Sequence, residues 1–438
     1  MASAFAIVRW TLLYLAAVVA PLVLMLVGDH PSGRGWWADT SMALGFIGLA
    51  MLGLQLAVTA RFRPVDAPLG LDAVLRFHRQ IAFVALAFVL LHPIMLFVQD
   101  PSQLRLLVPA TSTVAGLWGV ASVVLLLVLI AVTVWRRQLR LSYEVWRVGH
   151  GLLAIAVVAS ALIHIERVGY YVSGPFQRLV WFAMSLGLIG LLVHVRIVRP
   201  IQLARRPYIV DSLDRLPGAA WRLTLRPEGH AGLRFVAGQF AWLRLGRSPW
   251  SVHEHPFSFS SSAEQTDLLE FTIKELGDDT RRLHELQPGT QAYVDGPYGA
   301  FTYAKSQAAG FVFIAGGVGI SPVLSMLRTL ADVDDRRPLH LIYANASTDD
   351  VIIHDELDEL SHRLDLEVVR VLEDPPEGWT GEVGIVDSDL LDRALPERPA
   401  RYAYFVCGPP RMMDAVEPLL LARAIPEERI NTERFDLV

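Results

Sequence analysis

Four histidines constrain this chain most strongly: His78 and His92, then His150 and His164, all inside apolar stretches long enough to cross a bilayer. The two pairs share one spacing, since 92 − 78 = 164 − 150 = 14 residues. At about 100° and about 1.5 Å per residue, fourteen residues return to within ~40° of the same helix face after a rise of ~21 Å. Each helix therefore offers one imidazole near each membrane surface, on a single stripe. Two such helices side by side could hold two stacked haems by bis-histidine ligation, a route for electrons across roughly 30 Å of hydrocarbon. A lone intramembrane histidine is commonly a hydrogen bonder between helices. Two matched pairs are not readily explained that way.

Six apolar segments can be marked, at about 6–28, 41–60, 78–98, 114–135, 147–165 and 177–198. The first, from about Phe5 to Val27, is longer than a signal-peptide core and has no small-residue cleavage site, so it reads as a retained helix. An even number of spans returns the chain to its starting side. Basic residues gather on that side: Arg61 and Arg63 after the second segment, Arg136, Arg137 and Arg140 after the fourth, and Arg196, Arg199, Arg205 and Arg206 after the sixth. The other loops hold only a few, Arg34, Arg105 and Arg167. The positive-inside rule then predicts a multi-pass protein of the inner (cell) membrane with both termini and the soluble half in the cytoplasm. His78 and His150 become the inner pair, His92 and His164 the outer pair. Pro93, directly after His92, is expected to loosen its helix locally and help aim that imidazole. Arg61, Arg76, Arg79 and Arg147 are placed to meet inner-haem propionates, although topology explains them equally well.

Of the 438 residues 53% are hydrophobic, and that excess sits almost wholly in the first 200 positions. The chain thus joins a membrane half to a soluble half. A formal charge of −5 with no basic block in the soluble half gives no nucleic-acid signal. The single cysteine, Cys407, excludes an internal disulfide and a Cys-ligated iron–sulfur cluster.

From about Pro207 the pattern changes to short alternating runs punctuated by Gly or Pro: Trp221 to Leu225, Gln239 to Leu245, Leu268 to Ile273 and Gln291 to Val294. These predict a small antiparallel β-barrel. From about Gly310, strand and helix patterns alternate, with strands expected at Phe311 to Ala315, Leu339 to Tyr343, Leu366 to Val371 and Tyr402 to Cys407. That alternation predicts a parallel sheet wrapped by helices. The expected domains are 1–204 (six-helix membrane domain), 205–305 (barrel) and 306–438 (α/β domain).

Several motifs in the soluble half carry chemistry. His255-Pro256-Phe257-Ser258-Phe259-Ser260-Ser261 places aromatics and hydroxyls on a strand, able to meet a flavin ring and bond its edge. Lys274 precedes Gly277-Asp278-Asp279-Thr280, which is expected to open a helix over Arg281 to Leu286; free amides at a helix start attract a pyrophosphate, although the aspartates could be mere caps. Gly316-Gly317-Val318-Gly319-Ile320-Ser321-Pro322 follows a strand: its glycines permit close approach of phosphates, Ser321 can cap, and Pro322 suits the first helical position. Cys407-Gly408-Pro409-Pro410 ends another strand at the carboxyl edge of the sheet, where ligands of open α/β sheets bind, although Cys407 could be only a small core residue.

Taken together and in this order, these motifs resemble the ferric reductase and NADPH oxidase superfamily over nearly the whole chain. The resemblance implies two haem b held by His78, His92, His150 and His164, FAD on the barrel and NAD(P)H on the α/β domain. It assigns His255, Pro256, Phe257, Ser258, Ser260 and Ser261 to the flavin, with Lys274, Gly277 and Thr280 near its pyrophosphate. Gly316, Gly317, Gly319, Ser321 and Pro322 fall to the dinucleotide, and Cys407, Gly408 and Pro409 beside the nicotinamide. Asp295-Gly296-Pro297-Tyr298-Gly299 resembles the family turn that closes the flavin domain. Phe435 looks like the family's terminal aromatic over the flavin, a departure being that Asp436, Leu437 and Val438 follow it. Cys407 and Phe435 would be the catalytic residues.

The activity implied is transfer of electrons from cytoplasmic NAD(P)H to an extracytoplasmic acceptor. The outer loops are short and lack a Cys cluster, a His-rich tract or dense carboxylates. They show no obvious docking module either, so no obligatory protein partner is expected. Dioxygen, giving superoxide, leads over a ferric chelate. The alternatives are an electron donor to a periplasmic protein or quinone, and a transporter or sensor with a nucleotide-binding tail. Ala344-Asn345-Ala346-Ser347-Thr348-Asp349-Asp350 holds no cation for a 2′-phosphate, so no strong preference for NADPH is expected.

Overall fold

Each apolar segment is a helix in a computed structural model, which describes residues 4–27, 32–61, 70–304 and 306–434. These are α1 (Ala4–Met25), α2 (Trp36–Val58), α3 (Leu71–Gln99), α4 (Val114–Val134), α5 (Tyr143–Val168) and α6 (Pro175–Val193). All six are long and apolar enough to span a bilayer. Large apolar side chains such as Leu12, Leu152, Leu179 and Leu186 point outward, the arrangement expected where the solvent is lipid. Three helices, α2, α3 and α5, begin four to seven residues earlier than hydropathy suggests. Polar first turns are still helical, and Ser142 caps α5 by accepting from the Val145 amide at 3.3 Å. After Val193 the last helix continues through a π-helical turn, His194–Val198, into Arg199–Ala204. Pro200 has no N–H for the carbonyl one turn back, and a local widening accommodates that loss.

Small residues let pairs of these helices approach closely. A Cβ at Gly48 on α2 would stand 2.8 Å from Val89 of α3. On α4, Ser122 Oγ donates to the Val157 carbonyl of α5 at 3.1 Å.

A second compact unit begins at Pro200. Its first part is a six-stranded antiparallel sheet of β1 (Tyr208–Leu216), β2 (Ala220–Pro227), β3 (Phe240–Leu245), β4 (His255–Ser258), β5 (Leu269–Lys274) and β6 (Gln291–Tyr298). The order is β4-β3-β6-β1-β2-β5. A bridge between Phe259 and Phe271 joins the two edge strands, and the Ser260 amide donates to Glu270 O at 2.8 Å. Sheet closure removes the open edges and makes a barrel, cored by Leu223, Leu225, Phe259, Leu269 and Phe271.

The second part is a parallel sheet of β7 (Phe311–Gly316), β8 (Leu339–Asn345), β9 (Leu366–Leu372), β10 (Glu382–Val383), β11 (Ala403–Cys407) and β12 (Ile430–Thr432), in the order β10-β9-β8-β7-β11-β12. Its central strands are buried on both faces and read as unbroken apolar runs. Helices α7 (Ile320–Asp332) and α8 (Pro410–Ala422) follow β7 and β11.

Candidate functional site

In the helical unit the four histidines meet in two pairs. The rings of His78 and His150 lie 6.3 Å apart between centroids at an interplanar angle of 63°. Those of His92 and His164 lie 6.4 Å apart at 67°. Two metal–imidazole bonds of about 2 Å, plus roughly 1.1 Å from each nitrogen to its ring centre, sum to about 6.2 Å. Both separations therefore suit two imidazoles on opposite sides of one metal ion.

Hydrogen bonding decides which nitrogen is free. Thr133 Oγ1 donates its single proton to Leu129 O at 2.7 Å, so it can only accept from His150 Nδ1 at 3.1 Å and from Trp146 Nε1 at 3.3 Å. Ser41 Oγ donates to the His92 carbonyl at 2.7 Å, which leaves His92 Nδ1–H to donate to Ser41 O at 2.9 Å. His164 Nδ1 faces the Ala115 carbonyl at 2.8 Å and must donate to it. Three imidazoles are thus held as Nδ1–H tautomers with Nε2 unprotonated, the state a metal-binding histidine needs. His78 Nδ1 is buried and has no hydrogen-bond partner among the described residues. Glycines leave room for the outer rings: a Cβ would stand 3.3 Å from the His92 ring at Gly45 and 2.8 Å from His164 Nδ1 at Gly119. Each pair offers two nitrogens, and among the described residues no third His, Cys, Asp or Glu completes a metal cluster. That donor set fits an iron that brings four in-plane ligands of its own, as haem does.

The barrel holds a cavity of about 400 Å³ whose lining includes Arg247, His253, His255, Phe257, Asp279 and Thr280, within the size range of small-molecule sites. His255 and Phe257, two apart on β4, face it; Pro256 and Ser258 alternate to the other side of the strand. The loop after β3 is anchored by a buried ion pair, Arg244 with Glu254 at 2.5 Å. Asp279 accepts from His255 Nε2 at 2.8 Å and from Arg247 at 3.2 Å. Burial pushes this carboxyl up, but the His255 hydrogen bond and the charges of His255 and Arg247 together bring it below its ordinary range. A depressed carboxylate stabilises the fold above its ordinary pKa, so this contribution is lost as the pH falls through the acid range. Thr280 Oγ1 accepts from the amides of Gly277 and Leu276 at 2.9 and 3.0 Å, folding that turn on itself.

In the parallel sheet, β7 has β8 on one side and β11 on the other. The order reverses there, and ligands bind outside the carboxyl ends of strands at such a point. Two glycine turns meet at this edge. A Cβ at Gly319 would stand 2.2 Å from Cys407 O, one at Gly408 would stand 2.9 Å from Gly316 N, and one at Gly316 would stand 2.7 Å from Pro409 Cδ. Gly317 adopts φ +51 with open space above it, a conformation and a clearance that favour glycine. Cys407 is only 2% exposed. Burial, and then the negative charge of Glu433, push its thiol well above the ordinary range, so it is neutral. Glu433 itself is buried beside Gly299. Sequence reading passed over it in favour of the aromatic that follows, since a carboxylate near a chain end carries no local sign of burial.

Other residues fall differently from expectation. Ser260 and Ser261 are buried in the joint between barrel and α7: the Ser260 carbonyl accepts from Arg328 at 2.8 Å, and the Ser261 carbonyl accepts from Ser325 at 2.7 Å. Lys274 donates to Asp350 at 2.9 Å. The helix expected over Arg281 to Leu286 instead starts at Asp278 and tightens into a 3₁₀ turn, Arg282–Glu285. Ser321 does not cap; its hydroxyl donates to Val318 O at 2.8 Å and Thr272 O at 3.1 Å. Pro322 is the third rather than the first residue of α7, still within the turn whose amides lack helical partners. Asp295 to Tyr298 forms the end of β6 rather than a turn, paired with β3 as Trp242↔Asp295 and Phe240↔Tyr298. A bulge between those pairs accommodates Pro297. Phe435 lies outside the described residues.

Three stretches of the chain match known families: residues 44–161 the ferric reductase like transmembrane component, 222–302 an FAD-binding domain, and 313–418 an oxidoreductase NAD-binding domain. The soluble half is 36% identical over 174 residues to NADH-cytochrome b5 reductase 1 of Cryptococcus neoformans var. neoformans serotype D, covering 37% of this chain and 59% of that protein, less than two thirds of its length. It is 34% identical over 219 residues to NADH-cytochrome b5 reductase 1 of Mortierella alpina, covering 49% of this chain and 73% of that one. The cytochrome b5 reductase domain of Ulva prolifera nitrate reductase is similar at TM-score 0.47 and 20% identity, over 53% of this chain and 98% of that one. Six apolar helices followed by FAD-binding and NAD-binding domains define a membrane flavoprotein, an NAD(P)H-dependent oxidoreductase. The three matches in this order are the architecture of the ferric reductase/NADPH oxidase-like superfamily.

Proposed function

We propose that this protein takes electrons from NAD(P)H on the cytoplasmic side and passes them through FAD and two b-type haems to dioxygen on the far side of the inner (cell) membrane, giving superoxide. The observation that carries this reading is the pair of histidine layers, His78 with His150 and His92 with His164, each at the ring separation of a bis-imidazole metal site. When bound, FAD would let a two-electron donor feed one-electron carriers, and haem iron held by the four histidines would supply the one-electron relay. His255, Phe257, Gly277 and Thr280 would hold the flavin, and Gly317, Gly319, Cys407 and Gly408 the nicotinamide nucleotide. The neutral, buried Cys407 thiol keeps charge and water away from the strand end where hydride leaves the dinucleotide. Two histidines would hold each iron, and the chemistry supplied there would be one-electron outer-sphere transfer, which suits a small diffusible acceptor.

A second reading, reduction of a ferric chelate, is favoured by the family description that matches residues 44–161. One experiment separates the two. NAD(P)H-driven cytochrome c reduction is measured in detergent with added FAD, with and without superoxide dismutase, beside an anaerobic ferric-chelate assay. The expected result is a signal that the dismutase abolishes. A dismutase-resistant signal with faster anaerobic ferric reduction would make the protein a metal reductase.

Nucleotide choice is expected to favour NADH or to be indifferent. After β8 the chain presents Asp349 and Asp350, with Asp350 held below its ordinary range by Lys274 and bonded by Ser347 at 3.0 Å. The arginines that could have supplied a phosphate contact are spent on carboxylates. Arg328 pairs with Glu270 and Glu356 at 2.5 Å each, and Arg370 pairs with Asp358. Steady-state kcat/KM values check this. A preference for NADPH above about a hundredfold, roughly 2.7 kcal/mol, would contradict it.

On the flavin side, His255→Ala should weaken FAD retention by about tenfold, near 1.4 kcal/mol. The variant removes an imidazole from the cavity wall and leaves the Asp279 carboxylate less neutralised towards a diphosphate. Flavin fluorescence released on dilution measures it, and retention equal to the parent protein would clear His255 of this role.

A further inference from the structure

We propose that Tyr143, Trp146 and Thr133 form the route by which electrons reach the inner pair, with Trp146 as the residue that couples the cytoplasmic end of α5 to His150. This rests on the di-haem reading above. Tyr143, Trp146 and His150 are spaced i, i+3 and i+7, which places all three on one face of α5. Their rings form a ladder, with centroids 5.6 Å apart between Tyr143 and Trp146 and 5.3 Å between Trp146 and His150. The guanidinium of Arg136 lies 5.2 Å from the Trp146 ring centre and 5.6 Å from that of Tyr143, holding both from one side. The ladder begins at the first residue of α5. Because α6 follows α5 antiparallel to it, this is also the membrane side on which α6 ends and the chain leaves for its soluble half.

Tryptophans at helix ends commonly anchor a protein in the headgroup layer, with the indole N–H turned to water or lipid. Trp135, at the same end of the bundle, is 55% exposed, as such an anchor is. Trp146 differs: its indole N–H points inward and donates to Thr133 Oγ1 at 3.3 Å, the same oxygen that accepts from His150 Nδ1 at 3.1 Å. One hydroxyl therefore ties the ladder to Nδ1 of His150, the nitrogen opposite the one left free for iron, and fixes its tautomer. With flavin and haem bound, the chemistry they would supply is transfer of one electron with no bond formed or broken, and this chain's contribution is the ladder that ends at His150. Thr133 is a positioning residue in this step, since it acts through His150, while Tyr143 and Trp146 form the ring ladder itself.

Three variants of the full-length detergent-purified protein test this: Trp146→Leu, Trp146→Phe and Thr133→Val, with Trp135→Leu as control. Pyridine haemochrome analysis first establishes two haems in the parent; failure there would overturn the di-haem reading and the ladder with it. Stopped-flow reduction by NADH then follows flavin and haem separately. In Trp146→Leu the flavin should be reduced at the parental rate while haem reduction slows by about tenfold or more, and Trp146→Phe, which keeps a ring, should recover part of that rate. Thr133→Val should shift the midpoint potential and low-spin EPR signal of one haem and leave the other unchanged. Trp135→Leu should match the parent throughout. Parental haem reduction in Trp146→Leu would overturn the proposal. If that variant loses haem, the remaining two decide: a parental rate in Trp146→Phe together with two unshifted potentials in Thr133→Val would overturn it equally.

Discussion

Replacing His92 with alanine is expected to halve the haem content, from two per chain to one, and to abolish transfer to the outer acceptor while NAD(P)H still reduces the flavin. His92 shares its layer with His164 at 6.4 Å, and a haem held by one remaining imidazole loses half of its axial ligation, so His164→Ala should give the same result. His78→Ala and His150→Ala should empty the other layer and stop the chain one step earlier, with neither haem reducible by NAD(P)H. The supporting contacts predict a graded series. Ser41→Ala removes the Oγ contacts to the His92 carbonyl at 2.7 Å and to His92 Nδ1 at 3.0 Å, and leaves the Ser41 carbonyl accepting from Nδ1 at 2.9 Å. It should keep both haems and lower transfer by about tenfold at most. Pyridine haemochrome assays and dithionite-reduced spectra read each variant, and four alanine variants with parental spectra would remove the haem assignment altogether.

Gly319→Val should silence the soluble half from the nucleotide side. An added Cβ would stand 2.2 Å from Cys407 O and 2.5 Å from the Cys407 carbonyl carbon, both backbone atoms between β11 and the turn after it. Neither can swing away as a side-chain tip could. The two strand ends must move apart, at an overpacking cost of about 1–3 kcal/mol. Displacing the Cys407-Gly408 turn by even about 1 Å should lower NAD(P)H-dependent flavin reduction roughly a hundredfold. FAD content and haem content should remain parental, because the barrel and the helices do not contain this contact. Stopped-flow flavin reduction checks the loss. Gly317→Ala should be milder, since its Cβ would meet open space and only the φ of +51 resists the substitution.

Much of the architecture was legible from periodicity. Six spans, an antiparallel sheet and a parallel sheet each follow from apolar length or spacing, which are local properties of a chain. The errors were also local in origin. Asp295-Gly296-Pro297-Tyr298-Gly299 contains every residue type of a turn, yet tertiary pairing with β3 makes most of it strand. Ser260 and Ser261 read as ligand-bonding hydroxyls on a strand; α7 packs over them and takes up both carbonyls, while the Ser261 hydroxyl accepts from the Glu270 amide of β5. Ala115, Gly119, Ser122 and Thr133 on α4 fall on one face at the helical period, 18 residues in five turns, and could have marked the face meeting α5. This pattern went unread because small residues scarcely alter hydropathy.

The sequence by itself determined where hydrocarbon-length helices lie and that His78 with His92, and His150 with His164, share a face across one membrane thickness. Helix geometry alone sets those facts. It also determined that glycine turns end two strands of the parallel sheet. Only the tertiary structure decided that His78 meets His150 and His92 meets His164, that Thr133, Ser41 and the Ala115 carbonyl hold three of the Nδ1 protons, and that Glu433 lies against Cys407. Those relations join residues 17 to 72 positions apart. Their geometry depends on how helices and strands pack, and packing is settled by shape and hydrogen-bond satisfaction in three dimensions rather than by any pattern along the chain.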